Sequence, residues 1–175
     1  MNTLSNPLVW LMRFRHRCGY GVHSPFVFRF ITEVLYERTP YYAYRTLDAR
    51  LPWCLRLRRR KGLHLMLRLA NWLQPEAIVV PPVYSWVRDY LHAGCARATL
   101  LDRLPEGGAS LVLLDAPDDQ ADRLMPEGGV LVIDGLQGHA QWLHGLRATV
   151  TLDLHDVGIA IYNSKLQKQH YIVNF

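Results

Sequence analysis

The sequence predicts an α/β protein: a mostly parallel sheet that ends in an antiparallel hairpin, with a basic helical extension in front of it. Three observations carry this prediction. Apolar residues in the first third recur at helical spacing behind cap signals. From Ala77 onward the texture changes to short apolar runs between turns, interleaved with stretches long enough for helices. The last long pair of runs flanks a tight turn, as a hairpin requires.

The chain has 175 residues, half of them hydrophobic and a fifth charged. That balance excludes a disordered or collagen-like chain, and the length suits one buried core. No apolar run reaches the roughly 20 residues of a membrane span. Leu8–Met12 runs into Arg13, Arg15 and Arg17, which is the wrong order for a secretory signal. Cys18, Cys54 and Cys95 are odd in number and widely spaced, so neither a disulfide framework nor a zinc motif is expected, and a reducing cytoplasm is the expected compartment. The net charge of +5 conceals a split: Met1–Arg68 holds thirteen Lys/Arg against three acids, and Leu69–Phe175 holds seven against twelve. A basic part of this kind either docks on the acidic part or meets an anionic partner.

Asn6-Pro7 reads as a cap and first turn, giving a short basic helix over Pro7–Arg17. Ser24-Pro25 repeats the signal ahead of Phe26, Val27, Phe30, Ile31, Val34 and Leu35, whose spacing predicts a helix. His23 is expected to cap or pack at its start. Tyr41, Tyr42 and Tyr44 follow Pro40 in an expected loop. Trp53–Lys61 carries Arg56, Arg58, Arg59, Arg60 and Lys61, a solvated helix face or an anion-binding surface. Leu63, Met66, Leu67 and Ala70 form a further helical stripe that Gln74-Pro75 stops. Residue 62 is therefore read as the boundary between a basic helical extension, 1–62, and the sheet domain, 63–175.

Strands are expected at Ala77–Val80, Ala98–Leu101, Ser110–Leu114, Val130–Ile133, Val150–Leu154, Ile159–Tyr162 and Tyr171–Asn174. The first four are continuous apolar runs, as in strands buried on both faces. Pro82–Gly94 has room for a helix, and Ala116–Gly129 for a shorter one. Pro105-Glu-Gly-Gly and Pro126-Glu-Gly-Gly each precede a strand that ends in an aspartate, Asp115 and Asp134. If those strands are parallel, both acids sit on the carboxyl edge, together with the Pro81–Trp86 loop. Ligands of open α/β sheets bind at that edge. The competing reading is that strand-end aspartates cap and turn the chain.

Gly21-Val-His-Ser-Pro-Phe-Val-Phe28, Thr149-Val-Thr-Leu-Asp-Leu, Gly158-Ile-Ala-Ile-Tyr and the tail Gln167–Phe175 together resemble a bacterial family of S-adenosylmethionine-dependent methyltransferase-like proteins. The resemblance implies an abbreviated Rossmann-like class I methyltransferase sheet behind the histidine-serine-proline helix. It implies seven strands, with the cofactor over the carboxyl ends of the first, second and fourth. Ala77–Val80 is then the first strand, Ser110–Leu114 the fourth, Val130–Ile133 the fifth, and the Val150–Tyr162 hairpin the sixth and seventh. It nominates Pro81, Tyr84, Asp102, Asp115 and Asp134 as cofactor-binding positions, with Asp102 placed to hold ribose hydroxyls.

The departures from that family are specific. After the first strand its enzymes place an acid and a glycine-rich turn, where backbone donors approach the cofactor. Here the turn is Pro81-Pro82-Val83-Tyr84-Ser85-Trp86, with no glycine, no acid and two residues that lack an N–H. Only eight residues, Asp102–Ala109, follow the second strand. They span at most roughly 28 Å and leave no room for a third strand with its helices. Alternatively, Ala98–Leu101 pairs antiparallel with its successor. Gly135 stands where relatives often have a second acid, so no metal site is expected. His139 and His144 are five apart and do not share a helix face.

Three functions stay open at this point. The first is a pseudoenzyme that has lost S-adenosylmethionine and acts by binding a small molecule or protein. The second is an active methyltransferase with an atypical cofactor loop. The third is a nucleic-acid or anionic-surface binder using Arg13, Arg15, Arg17, Arg56, Arg58, Arg59, Arg60 and Lys61.

Overall fold

Continuous apolar runs build the centre of the sheet. The computed structural model describes residues 11, 13, 14 and 21–175, and within these the side chain of Arg58 is not described. The expected helix over Pro7–Arg17, with Arg15 and Arg17, lies outside the described residues except at Leu11, Arg13 and Phe14. Seven strands form one mixed sheet: β1 Ala77–Val79, β2 Thr99–Leu101, β3 Leu111–Leu114, β4 Val130–Asp134, β5 Val150–Asp153, β6 Val157–Ile161 and β7 Gln169–Ile172. Their order is β2-β1-β3-β4-β6-β5-β7. The first four are parallel, β6 lies antiparallel between β4 and β5, and β7 runs parallel to β5 at the far edge.

The expected strands are all present, and Ser110–Leu114 and Val130–Ile133 are the parallel neighbours that the crossover length allowed. The antiparallel pairing considered for Ala98–Leu101 does not form. β2 instead lies parallel on the outer side of β1, Ala77 opposite Thr99. The short connection after β2 carries the chain past β1 to the start of β3. No further strand lies beyond β2 among the described residues, and the tail supplies β7 at the opposite edge.

Each strand of the sheet's centre is apolar on both faces. Leu111, Leu113, Val130 and Val132 enter one core, and Val112, Leu114, Leu131 and Ile133 the other. Helices cover the first core: α1 Pro25–Phe30, continued by a π-helical turn Ile31–Leu35; α2 Tyr42–Arg50; α3 Trp53–Leu73; and α4 Arg88–Gly94. Two short helices cover the second: α5 Asp119–Leu124 and α6 Ala140–Gly145. Ser24, not His23, caps α1, accepting the Val27 N–H on its hydroxyl. Tyr42 and Tyr44 belong to α2 rather than to a loop.

Residue 62 is not an interruption. α3 runs unbroken through it for 21 residues and ends at Gln74 in the left-handed conformation. Val27, Phe30, Ile31, Val34 and Leu35 share one buried cluster with Ile78, Val80 and Leu113. The helical extension is thus a layer of the same core. Gly94 sets the spacing of α3 and α4, because a Cβ there would collide with the Leu67 carbonyl oxygen.

Candidate functional site

The parallel strands deliver three chain ends to one edge: Val80-Pro81 after β1, Asp115 after β3 and Asp134 at the end of β4. A cleft of about 280 Å³ opens there, lined by Arg59, Tyr84, Asp115, Asp134, Gly135 and Gln137, with Asp156 from the hairpin turn. Three of the five positions expected to hold a cofactor, Tyr84, Asp115 and Asp134, therefore converge.

Two of the three, Tyr84 and Asp134, are already bonded to each other. Pro82–Val87 forms two short 3₁₀ turns that Pro81 initiates and that meet at a kink at Tyr84, so this segment is not an open loop. It carries Tyr84 inward to 8% exposure. The Tyr84 hydroxyl donates to Asp134 Oδ2 at 2.7 Å, reaching from the end of β1 past β3 to the end of β4. Burial, and then the Asp134 carboxylate, raise the phenol's pKa well above its ordinary value, so it stays a donor. Arg59, from the first half of α3, donates to the same oxygen at 3.3 Å. Its guanidinium lies 5.1 Å from the centroid of the Trp86 ring, and Trp86 meets Tyr84 edge to face at 5.6 Å. Together Tyr84, Trp86, Arg59 and Asp134 latch the turn after β1 to the end of β4.

The other two expected positions stand apart. Pro81 starts the 3₁₀ helix and does not line the cleft. Asp102, at the end of β2, is exposed and ion-paired to Arg88 of α4. Asp115 is exposed at the cleft mouth. Sequence reasoning placed the Pro81–Trp86 segment at this edge but missed Arg59, Gln137 and Asp156 as members of the site. Arg59 was visible only as one cation in a run. Gln137 donates to Asp156 at 2.7 Å and ties the loop after β4 to the hairpin turn.

The cleft holds three carboxylates, Asp115, Asp134 and Asp156, against one arginine. It suits donors such as hydroxyl or amino groups and repels phosphates. No group of three or more His, Cys, Asp or Glu suited to a metal ion occurs among the described residues. Of the expected anion-binding residues, Arg13 pairs with Asp153 through two bonds, at 2.9 and 3.0 Å, so it and Arg59 both bind acids of the sheet domain. No described helix is long and apolar enough to cross a membrane. Set against known proteins, the chain matches no family model, no curated protein and no solved structure.

Proposed function

We propose that this chain is a methyltransferase-like pseudoenzyme that no longer holds S-adenosylmethionine and acts by binding. The observation that carries the reading is the Tyr84–Asp134 hydrogen bond across the carboxyl edge. A cofactor lying over the ends of β1, β2 and β3 needs backbone donors and close approach at the turn after β1. Pro81 and Pro82 have no N–H to give, and the buried Tyr84 ring occupies the inner side of that turn. Ribose hydroxyls need a free acid after β2, and Asp102 is paired with Arg88. The residues present do not fit the group.

The strand arrangement supports the kinship part of the reading. With β3 to β6 taken as the fourth to seventh strands, the parallel half, the antiparallel hairpin and the expected carboxyl edge all fall in their implied places. Calorimetric titration with S-adenosylmethionine and S-adenosylhomocysteine tests the proposal. No heat of binding is expected at millimolar ligand. Saturable binding at micromolar concentration would overturn it.

A further inference from the structure

A second cleft, of about 490 Å³, lies between the segment that follows the π-helical turn and the first half of α3. Its wall carries Arg38, Arg56, Arg60, Lys61, Arg68 and His64. Glu37 is the one acid on the wall, and its carboxylate accepts the Tyr41 hydroxyl at 2.9 Å. Five formal cations thus face one volume with one acid.

Arg68 is the informative member. It is 7% exposed and has no carboxylate within ion-pair distance among the described residues. Its Nη atoms donate to the carbonyls of Leu35 and Glu37, and its Nε has no hydrogen-bond partner. Burial lowers its pKa from the ordinary arginine value. Tyr44 and Glu37 favour its charged form, yet burial outweighs them, so an anion nearby would offset a remaining desolvation penalty. Arg60 has one long contact, 3.8 Å to Asp48, and its side chain is 62% exposed.

We propose that this cleft binds a phosphate-bearing anion, with Arg38, Arg56 and Arg60 as direct ligands and Arg68 contributing charge from the buried wall. Guanidinium forks match phosphate oxygens in geometry, and three of them around one volume suit a multiply charged anion over a single carboxylate. The cations gather on one open cleft of about 490 Å³, a volume that suits a compact phosphate group better than a nucleic-acid strand. Two sources share this chemistry, a soluble phosphorylated compound and an anionic lipid headgroup. Leu57 on the cleft wall and Trp53 one turn earlier, 56% and 70% exposed, are placed to meet a bilayer in the second case. The inference stands independently of S-adenosylmethionine binding.

The test uses the full chain with inorganic pyrophosphate in a calorimeter, and with phosphatidylcholine vesicles prepared with and without phosphatidic acid. One saturable pyrophosphate site is expected. Arg56→Glu and Arg60→Glu should each weaken it by about tenfold or more, the value of one charge-assisted hydrogen bond. Arg103→Glu, an equal charge change at an exposed position outside the cleft, should leave it within about twofold. Arg56→Lys keeps the charge and should retain part of the affinity. Added retention on phosphatidic-acid vesicles, lost in the same two variants, assigns the lipid source; pyrophosphate binding without retention assigns the soluble one. No saturable site, equal loss in Arg103→Glu, or tighter binding to RNA that ignores Arg56 and Arg60 would each overturn the proposal.

Discussion

His64 shows how a single residue's setting decides its charge. Its Nε2 lies 3.0 Å from Asp48, a contact that favours the imidazolium. Its ring is also stacked on Tyr44 at 3.6 Å and half-buried in α3. Burial prevails over Asp48, and the pKa falls below the ordinary histidine value, with Arg60 and Arg68 adding to the fall. The unfolded chain therefore takes up the proton more readily than the folded one. Stability present above about pH 6.5 is lost progressively as pH falls from there through the lower pKa of the folded state. Urea midpoints at about pH 7.5 and 5.5 should differ more in the wild type than in His64→Gln. Equal differences would remove His64 from the account. Neither this setting nor the Tyr84 latch was legible in the sequence. Tyr84 and Asp134 were both conspicuous, one as bulk where glycine was expected and the other as a strand-end acid. Their bond joins residues 50 positions apart and becomes visible only once β1, β3 and β4 are set side by side.

Among the elements, the strands were the most legible. Continuous apolar runs such as Leu111–Leu114 and Val130–Ile133 have few alternatives to burial on both faces. Helices were legible where apolar spacing marked them, as at Phe26–Leu35. They were missed where it did not: α2 begins at the fully exposed Tyr42, and α6 is a six-residue segment with one buried side chain. Gly62 looked like punctuation, yet packing of α3 on α4 carries the helix through it. Gly94 packs directly on the backbone of α3 at Leu67. Gly94→Ala should push them apart and lower stability by about 1–3 kcal/mol, as overpacking does, measured by urea denaturation. A loss under about 0.5 kcal/mol would mean that the pair can slide apart freely.

At the scale of the whole molecule, the basic and acidic parts are joined by more than charge. Arg13 is held by Asp153 of β5, and Arg59 by Asp134 of β4. Leu35, at 2% exposure, and Phe30, at 1%, sit in the same core as β1 and β3. A fragment comprising residues 63–175 would expose the sheet face that α1, α2 and the start of α3 cover. It should therefore lack a cooperative thermal transition by circular dichroism. A sharp transition in that fragment would restore residue 62 as a true boundary. The sequence showed the charge split but not its resolution, since pairing across 140 positions leaves no local pattern.

α3 has one further consequence. At 1.5 Å per residue its 21 residues form a rod about 31 Å long. Consecutive residues on that rod point about 100° apart. Arg59 thereby lines the acidic cleft at the sheet edge, and Arg60 lines the basic one. The two clefts share a single axle. A rotation of the whole helix about its axis would therefore move Arg59 and Arg60 together and alter both clefts at once.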